Sequence, residues 1–334
     1  MTREEITKLF DNIATLHVVV IGDVMLDNYW WGEVDRISPE APVPVVSLQR
    51  RESRLGGAAN VALNCIALGA KTTLASVIGD DGDGHTLLKL AAEAGMDTSL
   101  IQLSKTRPTT TKARVMGHRQ QILRIDSEVT HELSTEEEHP FIDAVLRFLQ
   151  REKPQVLIFE DYNKGVLKEN VIRRVTQHCR ELGIITAVDP KRRNFLAYHG
   201  VSIFKPNLKE VREGLGITLD NIDKSALDSV HAQLCEKLHH SLVTFITLSE
   251  GGVYYHDGHH SEIIPSHLRR ISDVSGAGDT VVATAALVYA ASGRDARQMA
   301  ELSNLAGGLV CEEVGVVPVK RERLIEEAIS ILAN

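Results

Sequence analysis

The sequence predicts an α/β fold, with a mostly parallel central sheet covered by helices and a small antiparallel β lid. Two observations carry that expectation. Short β-branched runs recur, each followed by a helical pattern, and two stretches rich in alternation and proline interrupt the rhythm. The runs are HVVVIGD (17–23), TTLASVIGD (72–80), QVLIFED (155–161), IITAVDP (184–190), VSIFKPN (201–207) and LVTFITLSE (242–250). Repeated βα units build parallel sheets, whose strands need no strict polar alternation because helices cover both faces. Ligands of such sheets collect beyond the carboxyl ends of the strands. Polar or glycine-rich residues follow nearly every run, so the site is expected at that rim. The interruptions, residues 28–54 and 105–126, hold strand-like segments with no helix between them. They predict a small antiparallel sheet built from two excursions, able to cover the rim and to pair with a second copy through its open face. No internal repeat or low-complexity linker divides the chain, so residues 1–334 are expected to form one domain.

Composition narrows the ligand. With 334 residues, 43% hydrophobic and 25% charged, the chain can bury a large core. A formal charge of −8 and a pI near 6.0 argue against nucleic acid or an anionic membrane as partner and leave a small molecule. Cys65, Cys179, Cys235 and Cys311 lack CxxC spacing, so free thiols in a reducing cytoplasm are expected rather than disulfides or structural zinc. The N-terminal MTREEITKLFDNIATL is charged and amphipathic, and no apolar run approaches the ~20 residues of a membrane span. Neither secretion nor membrane insertion is expected.

The chemistry centres on DVSGAGDT (273–280), which stands immediately before the apolar run VVATAALVYAA. If Gly276, Ala277 and Gly278 form the first turn of that helix, their N–H groups are free donors at its positive end and make an anion site. Asp279 then lies beside the anion, where a carboxylate can take a proton from a hydroxyl while the amides stabilise a transferring phosphoryl group. A plain helix start with glycines for tight packing suits the same letters. LGGAANVALNCIALGA (55–70) offers a second glycine pair entering an alanine-rich helix, and KPNLKE (205–210) places Asn207 and Glu210 three apart at a helix start. That pair serves either as a helix cap or, in a nucleotide site, as support for a magnesium-bound water or phosphate oxygens. TLSEGG (247–252) suits a nucleotide loop or an ordinary turn.

In order along the chain, IGDVMLD, LGGAAN, NLKE, TLSEGG, DVSGAGD and the late Asn304 resemble the ribokinase family of carbohydrate kinases. The resemblance implies a lidded αβα sandwich that uses ATP and Mg²⁺. It implies Asp279 as general base and Gly276, Ala277 and Gly278 as anion hole. Asp23, Asp27, Gly56, Gly57 and Asn60 would meet the sugar. Lys191, Asn207, Glu210, Ser249, Gly252 and Asn304 would line the nucleotide side, with Glu210 reaching the metal through water. The loop GGAAN is one residue shorter than the GGxGxN of many members.

A narrower resemblance, through GDVMLDNYWWGEVDRISPEAPVPVV (22–46), DYNKGVL (161–167) and VDPKRRNF (188–195), runs to the heptose 7-phosphate kinases of lipopolysaccharide synthesis. It implies phosphorylation of D-glycero-β-D-manno-heptose 7-phosphate at O1, a homodimer through the lid, and a separate adenylyltransferase acting next. A substrate already carrying a phosphate needs cations, and Arg36, Arg107, Lys112, Arg114, Arg119, Arg124 and Lys164 are the candidates, with Asp161 a further sugar contact. The adenylyltransferase motif HxGH has a literal match in His256, Asp257, Gly258 and His259, but Asp-Gly between two strand-like runs reads as a hairpin turn. Three alternatives stay open: another sugar or nucleoside kinase of the family, a non-catalytic sugar-phosphate sensor on the same fold, and a nucleotidyltransferase resting on HDGHH.

Overall fold

The computed structural model describes residues 1–117, 120–239, 243–267 and 269–333. After α1 (Arg3–Ile13) and β1 (His17–Gly22) the chain leaves as β2 (Val24–Ile37) and β3 (Pro44–Gly57). It returns through α2 (Ala58–Ala67), β4 (Lys71–Gly79), α3 (Gly82–Glu93) and β5 (Asp97–Ser104), then leaves again as β6 (Thr111–Gly117) and β7 (Gln120–Ser127). There follow α4 (Thr135–Glu152), β8 (Val156–Glu160), α5 (Glu169–Leu182), β9 (Ile185–Asp189), β10 (Ile203–Phe204), α6 (Leu208–Leu215) and α7 (Lys224–Leu238). The chain closes with β11 (Val243–Thr247), β12 (Val253–His256), β13 (Ser261–Ile264), α8 (Ala277–Ala291), α9 (Ala296–Val310) and α10 (Arg321–Leu332).

Every β-branched run named above supplies a strand of one sheet, ordered β13-β12-β11-β10-β9-β8-β1-β4-β5 among the described residues. Residue 242, the first of the last run, lies outside them. Neighbours from β5 to β11 pair in parallel, while β12 and β13 add an antiparallel hairpin at one edge. Side chains alternate between two cores, as a sheet covered on both faces requires. Val18, Val20, Ile158 and Ala187 face a layer that includes α1, α2, α8 and α9. Val19, Ile21, Leu157, Phe159 and Val188 face α4, α5 and α7. By the same alternation Glu160 and Asp189, which end β8 and β9 side by side in register, fall on the α8 face.

The two excursions form one four-stranded sheet of order β3-β2-β6-β7. Each excursion is an antiparallel hairpin, and a parallel pair, β2 with β6, joins them from Leu26↔Thr111 to Gly32↔Gly117. Asp27, Lys112 and Arg114 lie on the face toward the rim, whereas Leu123 and Ile125 share register with Val115 and Ala113 on the opposite face and are exposed.

Candidate active site

Helix α8 is buried along its length from Asp279 to Val288, because it lies between the sheet and the helices α1, α2 and α9. A helix apolar on all sides suits that place. Its N-terminus is set by Gly276, whose φ of 79° is one that side chains resist, and no side chain caps it. Among the described residues the N–H groups of Gly276, Gly278 and Asp279 have no acceptor, while Ala277 turns its N–H to the Val274 carbonyl at 3.3 Å. The open donors therefore differ by one residue from the expected Gly276, Ala277 and Gly278. A Cβ placed on Gly278 would meet nothing nearer than Asp189 Oδ2 at 3.6 Å, so this turn is open toward the rim.

Asp279 is 4% exposed, yet its carboxylate is fully engaged. Asn60 Nδ2 donates to Oδ2 at 2.7 Å and the Tyr162 hydroxyl to Oδ1 at 2.9 Å. Burial pushes the carboxyl up to about 6, with Asp189 adding to the rise and the two hydrogen bonds and Lys191 opposing it. Beside it Asp189 accepts from Lys191 at 2.9 Å and Lys205 at 2.8 Å. Burial works against ionisation of Asp189, but those ammonium groups outweigh it and hold its carboxyl below the usual range. Glu160 has neither. It is fully buried and both of its carboxyl oxygens lack a donor among the described residues, so burial, reinforced by Asp189 and Asp279, holds it well above the carboxylate range.

On the sugar side, several expected contacts are already committed within the protein. Asp23 is buried and accepts the N–H groups of Tyr162, Lys164 and Val166, anchoring the loop after β8. Asp161 is buried too and accepts from the Asn163 N–H, Asn194 Nδ2 and the Tyr198 hydroxyl, with burial pushing its carboxyl up to about 6. Both carboxylates hold the loop after β8. Asn60 donates to Asp279, and its Oδ1 is itself met by Asn64 at 3.4 Å. Gly56 and Gly57 have internal reasons, since a Cβ on the first would collide with Asp27 Oδ2 and one on the second with the Asp23 carbonyl. Asp27 accepts from Arg114 at 2.5 Å, so that arginine is paired rather than free.

The cations separate. Lys164 is paired with Glu128 at 2.7 Å. Arg124 stands on the exposed β7 and grips Asp126 with two bonds of 2.9 and 3.0 Å. Arg36 is exposed near the far end of β2, Arg107 is buried and donates to the carbonyls of His131 and Lys164, and Arg119 lies outside the described residues. Lys112 alone of the group faces the rim with no carboxylate in ion-pair range among the described residues, its Nζ 5.5 Å from the Tyr162 ring centre.

On the nucleotide side, Asn207 and Glu210 form a reciprocal cap on α6, and Glu210 Oε1 also takes Lys191 at 2.5 Å. Both Glu210 oxygens are engaged, and among the described residues no three acidic, histidine or cysteine side chains converge to hold a metal directly. A magnesium ion would fit here only through water or phosphate oxygens. Ser249 is exposed with φ of 53°, at the tip joining β11 to β12. Gly252 packs against the Ile264 carbonyl, and Asn304 donates to the Pro265 carbonyl at 2.8 Å, tying α9 to the segment that leads into the GAG turn. His256 ends β12 opposite Ser261, and Asp257 to His260 form the turn into β13, as the hairpin reading expected.

The family model for the pfkB family carbohydrate kinases matches residues 15–322. The chain belongs to the pfkB family. This pfkB chain is 39% identical over 330 residues to the D-beta-D-heptose 7-phosphate kinase of Bordetella bronchiseptica, covering 95% of this chain and 98% of that one. It is 40% identical over 315 residues to the bifunctional protein HldE of Methylobacillus flagellatus, covering 93% of this chain and 62% of HldE, so it spans less than two thirds of that relative. The fold matches phosphofructokinase-2 from Escherichia coli in complex with potassium with a TM-score of 0.76 at 16% identity, over 95% of this chain and 99% of that one. It matches the Arabidopsis thaliana ribokinase complexed with ribose and ATP with a TM-score of 0.71 at 16% identity, over 93% and 99%.

Three residues of this pfkB chain were not singled out by its sequence. Tyr162 reaches Asp279 from a loop 117 positions away, Glu160 ends β8 buried without a donor among the described residues, and Arg54 donates from β3 to the Val314 and Val316 carbonyls at 3.2 and 3.3 Å. A residue type that serves turns, caps and ligands alike carries no signal until its neighbours are known.

Proposed function

We propose that the chain is one catalytic unit, residues 1–334 with a lid from 28–54 and 105–126, that transfers the γ-phosphoryl group of ATP to O1 of D-glycero-β-D-manno-heptose 7-phosphate, giving the 1,7-bisphosphate. The observation that carries this reading is a buried carboxylate, Asp279, one residue beyond an open set of backbone amides at the N-terminus of α8. Asp279 takes the proton of the anomeric hydroxyl while the Gly276, Gly278 and Asp279 amides stabilise charge on the moving phosphoryl group. Bound magnesium would neutralise part of the phosphate charge, held by phosphate oxygens and by Glu210 through water. Lys191, Asn207, Ser249, Gly252 and Asn304 lie along the nucleotide side.

The substrate phosphate belongs near Lys112 and Lys164. Burial, helped by repulsion from Lys164, lowers the pKa of Lys112, and an incoming phosphate relieves that repulsion. The relatives named for heptose 7-phosphate phosphorylation and for HldE support the choice of sugar. The exposed Leu123 and Ile125 on the outer lid face support a homodimer through the lid, which Leu123→Asp should dissociate in sedimentation. Among the described residues no helix is long and apolar enough to cross a membrane, and the free cysteines support a cytoplasmic location.

The test is ATP consumption with Mg²⁺ across heptose 7-phosphate, the unphosphorylated heptose, fructose 1-phosphate, ribose and adenosine. Turnover confined to heptose 7-phosphate is expected. Turnover on another sugar overturns the substrate and keeps the base, and silence with sugar binding intact favours a sensor.

A further inference from the structure

Tyr162 is the residue whose placement the phosphoryl-transfer reading leaves unexplained. Its hydroxyl donates to Asp279 Oδ1 at 2.9 Å, while Oδ2 is held by Asn60 from α2. Its backbone is fixed in turn, for its N–H donates to Asp23 Oδ2 at 2.9 Å. Its ring lies between two ammonium groups, Lys112 Nζ from β6 and Lys191 Nζ after β9, each 5.5 Å from the ring centre. A loop side chain tied at backbone, ring and hydroxyl has one orientation, and that orientation ends on the base.

A buried carboxylate is costly unless donors satisfy it, and here, among the described residues, the side-chain donors are the Asn60 amide and the Tyr162 hydroxyl. The other groups facing Asp279 act in opposite senses. Asp189 opposes ionisation and Lys191 favours it, while Lys191 is already engaged by Asp189 and Glu210, and Glu160 on β8 is itself held well above the carboxylate range by burial. We propose that Tyr162 is a positioning residue for the base: its O–H, held on Asp279 Oδ1, keeps that carboxylate ionised at neutral pH, so Tyr162 sets the pH at which transfer switches on. This rests on the kinase reading. Burial, and after it Asp279, holds the Tyr162 phenol well above its ordinary pKa, so it stays a donor throughout the working range.

The experiment is the pH profile of kcat with ATP and heptose 7-phosphate for wild type, Tyr162→Phe and Tyr162→3-fluorotyrosine. The phenylalanine keeps the ring between the lysines and removes only the donor. Its acid limb should move to higher pH by about one unit, with kcat recovering to within about threefold of wild type above it. The fluorinated residue is a stronger donor in the same volume, and its limb should move to lower pH. Limbs that coincide with wild type, with kcat lowered equally at every pH, would overturn the proposal in favour of a packing role. Active wild type with unmoved limbs defeats this proposal alone, whereas wild type silent on every sugar defeats the kinase reading and with it this role.

Discussion

Two turns of this protein read almost alike as letters and do different physical work. Gly56 and Gly57 lead into α2, and Gly276 to Gly278 lead into α8; both precede alanine-rich helices. At the first turn the glycines are required by the protein itself. Asp27 and the Asp23 carbonyl occupy the space where side chains would stand, and the Ala58 N–H is taken by the Asp23 carbonyl at 3.0 Å. At the second turn Gly278 has open space before it, and among the described residues the N–H groups of Gly276, Gly278 and Asp279 lack acceptors. The first turn is glycine-rich because it is crowded; at the second, Gly276 answers to its φ and to Asn60 beside it, and Gly278 opens onto free space.

The largest expected effect falls on the second turn. Asp279→Asn should lower kcat by about 10²–10⁴, the usual contribution of a general base, with ATP binding retained; near-normal turnover would break the assignment. The same variant tests the cost of burying the charge. Folding raises the Asp279 pKa from 3.8 to about 6, so this group favours the folded chain below pH 3.8 and loses that contribution as pH rises through 6. Asp279→Asn should therefore melt higher than wild type at pH 8 by an amount of order 1–3 kcal/mol, and the gap should close toward pH 4.

Next in size, Gly278→Ala should lower kcat by about 10²-fold, the order of losing an anion-hole donor, with an unchanged melting temperature, because the added methyl enters space meant for the phosphoryl group. Gly57→Ala should do the reverse. Its φ of 59° and the clash with the Asp23 carbonyl should cost about 1–3 kcal/mol, read as a melting temperature lower by several degrees, while the folded fraction keeps its kcat within a few-fold. If both variants lost stability alike, the distinction between a crowded and an open turn would fall.

The architecture was legible where chemistry is local. Runs such as HVVVIGD and QVLIFED became strands because β-branched residues suit a sheet buried on both faces, and DVSGAGDT became an open helix start because only glycine takes φ of 79° there. β5 was missed because DTSLIQLS mixes polar and apolar residues at the sheet edge. Partners distant in sequence were not legible at all. Asp27 finds Arg114 across the parallel β2–β6 pair, and Asp23 and Asp161, strand-ending carboxylates with the letters of a binding residue, turn inward to loop amides and to Tyr198. Local sequence limits which groups are available; which one faces the rim is decided by strand pairing.

The smallest expected effect asks whether the lid is coupled to the open turn. Arg54 reaches from the lid to the Val314 and Val316 carbonyls, and between them the Gly315 N–H donates to Asp273 Oδ2 at 2.9 Å, whose Oδ1 takes the Ser275 N–H at 2.9 Å. The lid thus touches the residue before Gly276 through one loop and one carboxylate. Tyr29, with Arg54 and Arg114 at 5.0 and 5.2 Å from its ring centre, stiffens the lid side of this path. Arg54→Ala removes two of the lid's bonds to the loop but leaves Tyr29, Asp273, Ser275 and the amides in place. The sugar KM should rise about threefold to tenfold with kcat nearly kept, since such part-exposed hydrogen bonds contribute only about 1 kcal/mol. A fall in kcat without a rise in KM would instead mean that the lid orders the anion-binding turn itself, and the open turn would then depend on closure for its geometry.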